Sequence, residues 1–207
     1  MDEPKIAVLA SGNGTNLQAV LDDPVVGAWV VLVVSDRPDA RALRRAADRG
    51  VEAVHVDPEA HPGIDAYAAA LVEVLREREI GFVALAGFMR VLGPEAVEAY
   101  AGRILNVHPS LLPAFPGADS VADALAWGVK ITGVTVHLVD EQVDHGPIVA
   151  QEAIVVRGDD VWSTLEERVH EVEHRLLPAA LRALVEGRID VDDRLVRVAE
   201  PSTGAGT

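Results

Sequence analysis

The chain has 207 residues, 49% of them hydrophobic, enough apolar material for one α/β domain or two merged halves with a real core. Its formal net charge is −15, which repels phosphate backbones, and the linear sequence offers no basic patch to offset it, so nucleic acid is a poor partner. With no cysteine there are no disulfides, thiolate metal sites or thiol nucleophile, which suits a cytoplasmic protein.

The opening "MDEPKIAVLASG" lacks the basic start and cleavage site of a signal peptide. The longest apolar run, residues 28–34, is too short to span a bilayer. The first predicted strand, 5–10, leads into "SGNGTNLQA" and a helix over 15–22. Gly12 and Gly14 permit positive φ and close approach to the backbone, and free N–H groups at the helix start form a natural anion cradle. No Gly-Lys-Ser/Thr follows, so this is not a P-loop, and Leu17 stands where a dinucleotide fingerprint has its third glycine. Asp36, after the second strand, is the feature that still favours a ribose contact. A tight turn without ligand and a monophosphate site both fit.

Further along, strands at 29–35, 52–56 and 81–86 alternate with helices at 39–49, 64–78 and 94–100. This alternation predicts a mostly parallel central sheet with helices on both faces and a ligand beyond the carboxyl ends of the strands. The fifth strand, 103–108, carries Asn106 and His108 two residues apart, on one face, and Pro109, Pro113 and Pro116 stiffen the segment after it. An Asn amide donates to a developing oxyanion, and a His donates or shuttles a proton near neutral pH. A His satisfied by backbone in an ordinary loop is the alternative. After a helix at 119–127, strands at 131–139 and 147–155 flank "VDEQVDHGP", which predicts an antiparallel return and a mixed sheet in the C-terminal part. Asp144 in that loop is either a partner for an imidazole or one acid of a solvated loop.

The last predicted helix, 160–186, contains His170-Glu171-x-x-His174, the zincin pattern of a zinc metalloprotease, with Asp190, Asp192 and Asp193 downstream. Val161, Leu165, Val169, Val172 and Leu176 form one apolar stripe, which sets both histidines on the opposite, solvent-facing side as a polar helix face. The expected organisation is one domain over 1–198, with halves 1–100 and 101–198, and a flexible tail over 199–207.

Four segments in order, "SGNGTNLQA", "LAGFMRVLGP", "RILNVHPSLLPAFPG" and "GVTVHLVDEQVDHGPIVAQ", with "EHRLLP" beyond them, resemble the folate-dependent formyltransferases, and the first narrows the likeness to the phosphoribosylglycinamide branch. The resemblance implies a Rossmann-like formyltransferase fold and formyl transfer from 10-formyltetrahydrofolate to a glycinamide ribonucleotide. It implies small-molecule partners, no metal, no membrane, and a monomer or homodimer. Matched position by position, it implies Asn106, His108 and Asp144 as a catalytic trio. Gly14, Thr15, Asn16, Pro109 and Glu173 would hold the ribonucleotide. Met89, Arg90, Val91, Leu92, Val139, Asp140, Glu141 and Asp144 would line the folate pocket.

The chain departs from the family pattern at Asp119, where His is frequent, at Ile64, near where an arginine meets the folate tail, and at His145, where a small or polar residue is usual. Two related activities compete. Methionyl-tRNA formyltransferases usually carry a further nucleic-acid-binding domain, and formyltetrahydrofolate hydrolases a regulatory domain ahead of the catalytic part. The expectation is that this chain has neither.

Overall fold

The computed structural model describes residues 3–201. Along the chain the elements are β1 (Ile6–Leu9), α1 (Thr15–Asp22), α2 (Val26–Trp29), β2 (Val30–Ser35), α3 (Arg41–Asp48), β3 (Glu52–His55), α4 (Ile64–Glu77), β4 (Phe82–Leu85) and α5 (Pro94–Ala99). They continue with β5 (Ile104–His108), α6 (Ser120–Trp127), β6 (Ile131–Leu138), β7 (Ile148–Val155), α7 (Trp162–Val185), β8 (Ile189–Asp192) and β9 (Leu195–Val198). One sheet runs in the order β3-β2-β1-β4-β5-β6-β7. Its first five strands are parallel, and β6 and β7 return antiparallel, giving the mixed C-terminal part that the sequence predicts.

The central strands are apolar on both sides because both faces of the sheet are covered. Ile6 and Val8 enter one core with Leu17 and Val20 of α1 and Leu165, Val169, Leu177 and Leu181 of α7. Ala7 and Leu9, pointing the other way, enter a second core with Tyr67, Leu71 and Leu75 of α4. The sheet is continuous between the two predicted halves, since β4 and β5 pair directly. Among the described residues no helix is long and apolar enough to cross a membrane.

The strand order reverses at β1, whose neighbours are β2 and β4. A crevice opens where strand order reverses in this way. The loops leaving β1 and β4 are tied together across it: Ser11 N–H donates to Gly87 O at 3.0 Å, and Met89 N–H donates to Ser11 Oγ at 2.8 Å.

A short helix and a hairpin were not predicted. Trp29 ends the short α2 instead of starting a strand, because Asp23 Oδ1 accepts from Val25 N–H and Val26 N–H at 2.9 and 2.8 Å and caps a helical turn. The acidic stretch after α7 forms a β8–β9 hairpin turning through Asp193, at φ 55. Ala199 N–H donates to Arg188 O beyond the last strand pair, and the Arg188 guanidinium donates to Ala199 O. The rest of the expected tail, from residue 202 onward, lies outside the described residues.

Candidate active site

The end of β5 delivers Asn106 and His108 to the crevice. Antiparallel pairing with β6 sets His137 opposite Asn106 and Thr135 opposite His108. His137 Nδ1–H donates to Leu138 O at 2.8 Å, which leaves Nε2 to accept from Asn106 Nδ2 at 3.1 Å. His108 is buried, with 4% exposure. Its Nε2–H faces two acceptors, Phe115 O at 2.9 Å and Ser120 Oγ at 3.0 Å, the Ser120 hydroxyl itself donating to Gly117 O at 2.9 Å.

Asp144 comes to the same place from the loop between β6 and β7. Its Oδ1 lies 3.4 Å from Asn106 Nδ2, and its Oδ2 lies 3.4 Å from His108 Nδ1. Gly117 N–H donates to Oδ2 at 2.7 Å, so the proline-rich loop and the Asp144 loop meet at this carboxylate. Burial acts to raise the Asp144 pKa. The hydrogen bond from Gly117 and the neighbouring His108, when charged, outweigh it and hold the carboxyl below the usual aspartate value. Asp144 sits at φ 53 and Phe115 at φ 50, left-handed conformations that cost about 1 kcal/mol for a residue with a Cβ. Both strained residues present an oxygen to His108.

The loop after β1 rests on α3: Gly12 O accepts from Ala42 N–H at 3.1 Å, and Asn13 O accepts from Arg45 Nε–H at 2.8 Å. Gly14 caps α1 at φ 70, ψ 35, where a Cβ would come within 2.9 Å of the Ala42 methyl, so glycine is required on two counts. Thr15 opens α1, and Asn16 in its first turn is buried. Asn16 Nδ2 donates to Glu173 Oε2 at 3.0 Å, and Asn16 Oδ1 is buried without a partner. The loop and α7 are thus joined beside the crevice.

Of the expected folate-lining residues, Met89 and Val91 are exposed, at 61% and 55%. Arg90 lies over the Tyr67 ring at 4.8 Å, and Leu92 packs partly into the second core with Val139. Asp140 and Glu141 open the loop that ends in Asp144. Pro109 is half-buried between His108 and Ser110. The departures find their places too. Asp119 precedes α6 and is exposed, and Ile64 opens α4 at 45% exposure. His145 bridges two elements: its Nδ1–H donates to Asp140 Oδ2 at 2.8 Å, while Arg194 of the hairpin donates to its carbonyl at 2.8 Å.

The zincin reading requires correction on geometry. His170 and His174 are half-buried, not fully solvent-facing, and stacked with centroids 5.8 Å apart, and His174 Nε2 is buried without a partner. Val161 is 58% exposed and Leu176 only partly buried, while Glu173 is buried, with 3% exposure. α1 covers a flank of α7 that the sheet does not, so the buried sector is wider than one stripe and takes in Glu173. His170 Nδ1–H donates to Glu173 Oε2 at 2.7 Å. Among the described residues no three His, Cys, Asp or Glu side chains gather as a metal set.

Sequence reasoning missed His137 and Ser120. His137 reads as an interior strand residue in "TVHLVD", and only the antiparallel return sets it against Asn106. Ser120 had no signal beyond its place at the start of a helix.

The family model described as formyl transferase matches residues 4–181. The chain is 42% identical over 184 residues to phosphoribosylglycinamide formyltransferase of Bacillus subtilis (strain 168), covering 87% of this chain and 94% of that protein. This chain belongs to the formyl transferase family, in its phosphoribosylglycinamide branch. Within that family it is also 43% identical to the trifunctional purine biosynthetic protein adenosine-3 of Gallus gallus, over 91% of this chain but 19% of that protein. Its fold is similar to the crystal structure of glycinamide ribonucleotide transformylase 1 from Symbiobacterium toebii, with a TM-score of 0.92, 46% identity, and 95% of this chain and 94% of that one covered. The family match ends in α7, and the β8–β9 hairpin that holds His145 lies beyond it.

Proposed function

We propose that this formyl transferase moves the formyl group of 10-formyltetrahydrofolate to the amine of N1-(5-phosphoribosyl)glycinamide, a step of de novo purine biosynthesis, with Asn106, His108 and Asp144 as its catalytic groups. The observation that carries the reading is the convergence of an amide, an imidazole and a carboxylate from distant segments, with Asp144 3.4 Å from each of the other two. Those contacts are at the long edge of hydrogen bonding. A formyl oxygen or a water entering between them takes up donors that the resting site holds only loosely.

The amine nitrogen attacks the formyl carbon, and the carbonyl π pair moves onto oxygen. Asn106 Nδ2–H and an N–H of His108 stabilise that oxyanion. Acceptors face both His108 ring nitrogens, an arrangement that an imidazolium satisfies with two N–H groups. The C–N10 bond then breaks, and the proton lost by the attacking amine ends on N10 of the departing tetrahydrofolate, relayed through a water ordered by Asp144. Each oxyanion donor is worth a factor of about 10²–10³ in rate. No step calls on a metal.

The loop at Gly14, Thr15 and Asn16 serves the phosphate, with backbone N–H groups at the start of α1, and Glu173 together with Pro109 serves the ribose side. The exposed side chains of Met89 and Val91 offer an apolar face to the folate, and Arg90, Leu92 and the 139–144 loop make up the rest of its wall. A net charge of −15 disfavours a tRNA substrate, which sets the methionyl-tRNA reading aside. A cytoplasmic monomer or homodimer goes with the absence of cysteine and the small substrates. The test offers purified protein both substrates and follows tetrahydrofolate and formylated ribonucleotide together. Equal amounts of the two support the reading. Folate deformylated without an acceptor marks a hydrolase instead.

A further inference from the structure

The chain carries 33 acidic against 18 basic residues, yet it must attract a phosphate dianion. Five of the arginines, Arg37, Arg41, Arg44, Arg45 and Arg49, fall within residues 37–49, a stretch with only Asp39 and Asp48 to oppose them. The spacing hid this patch in the linear sequence, where alanines and aspartates interrupt it. On α3, positions 41, 44, 45 and 48 share a face. There Arg41, Arg44, Arg45 and Arg49, with Gln18, Asp39 and Asp48, line an open groove of about 510 Å³.

The groove adjoins the phosphate loop. Arg45 donates to Asn13 O, Ala42 N–H donates to Gly12 O, and Gly14 lies against Ala42 too closely for a Cβ. Arg45 is committed to the loop and to Gln18, and Arg49 pairs with Asp22. Arg41 and Arg44 are exposed and make no ion pair among the described residues. We infer that Arg41 and Arg44 form an electrostatic capture patch for phosphate monoester dianions, drawing the ribonucleotide to the loop beside it. The patch acts at a distance. Exposed arginines in water make poor fixed ligands, but an unpaired pair of them reverses the local sign of the field on an otherwise repelling surface. The inference rests on reading the 11–16 loop as the phosphate site.

The test compares wild type with Arg41→Glu/Arg44→Glu and with Arg157→Glu/Arg197→Glu. The second pair changes net charge equally, but lies after β7 and on β9, toward the other edge of the sheet from β3 and α3. Two quantities are read: kcat/KM for phosphoribosylglycinamide, and the affinity for ribose 5-phosphate. Each is measured at salt near 0.01 M and near 1 M, where the screening length is about 30 and 3 Å. The patch variant is expected to fall about tenfold or more below wild type at low salt in both, with the gap closing at high salt. The matched control stays near wild type. Equal losses in the two variants, or a gap that survives high salt, overturn the capture patch. If wild type transfers no formyl group, the functional reading fails, and ribose 5-phosphate affinity alone decides the patch.

Discussion

Asn106 Nδ2 donates to His137 Nε2 at 3.1 Å across the antiparallel pair that joins β5 to β6. Because His137 Nδ1–H is held by Leu138 O, the imidazole is fixed in the tautomer whose Nε2 accepts, and the amide of Asn106 is fixed with its NH₂ toward the crevice. His137 therefore orients the oxyanion donor. Replacing it with Ala is expected to lower kcat by about tenfold, equivalent to about 1.4 kcal/mol of barrier, with KM for the ribonucleotide little changed. His137→Gln, which keeps an acceptor, recovers part of the loss. Steady-state kinetics on the two variants check this.

Asp144 carries a carboxyl whose pKa lies below the ordinary value, so its ionised form favours the folded state. For a depressed carboxyl the stabilisation is fully present above the unfolded value, near pH 3.9, and is lost as pH falls through the lower folded value. Wild type should melt above Asp144→Asn at pH 5 to 7, and the difference should shrink toward zero as pH drops below about 3.9. The same variant should lose a factor of about 10² or more in kcat, since the amide neither supports an imidazolium nor takes up a proton relay. Melting curves across pH and an activity assay at neutral pH give both readings.

The alternating pattern of apolar runs was enough for the parallel core, because strands buried on both faces announce themselves as short continuous runs. It also placed Asn106 and His108 on one strand face. What it did not contain was distance. Asp144, His137 and Ser120 reach His108 or Asn106 only through the register of the β6 return, which the loop signal left open, and the curl of the proline-rich loop. Burial of Glu173 was hidden for a related reason: helix periodicity finds the stripe that faces a sheet, while the second contact of α7, with α1, turns a polar position inward. The β8–β9 hairpin escaped because its strands are short, acidic and largely exposed.

The His170–Glu173 pair makes a prediction of opposite sign to that of Asp144. The hydrogen bond that His170 donates to Glu173, aided by the charges of Glu173 and Glu166, raises the His170 pKa against the opposing effect of burial. A raised imidazole stabilises the fold fully below its unfolded value, near 6.5, and the contribution fades as pH climbs through the folded value. Wild type should therefore exceed His170→Gln in thermal stability by more at pH 6 than at pH 9. A difference that grows with pH would count against the pairing. The His170 side chain is only half-buried, so the effect is expected to be small.

Gly14 is set by two constraints, a left-handed φ of 70 and the Ala42 methyl 2.9 Å from where a Cβ would sit. Gly14→Ala should displace the loop from α3, cost about 1–2 kcal/mol of stability from the conformation alone, and raise KM for the ribonucleotide at least several-fold. KM for the folate should hardly change. Denaturant melts and separate KM measurements for the two substrates test both parts.

The most direct measurement of the central claim is single-turnover formyl transfer by Asn106→Ala, in protein shown to be folded and to bind both substrates, set beside wild type. Convergence of the three groups on one carbonyl predicts that wild type converts the bound ribonucleotide and that the variant is slower by about 10²–10³ in the chemical step. A folded variant that transfers formyl at the wild-type rate contradicts it.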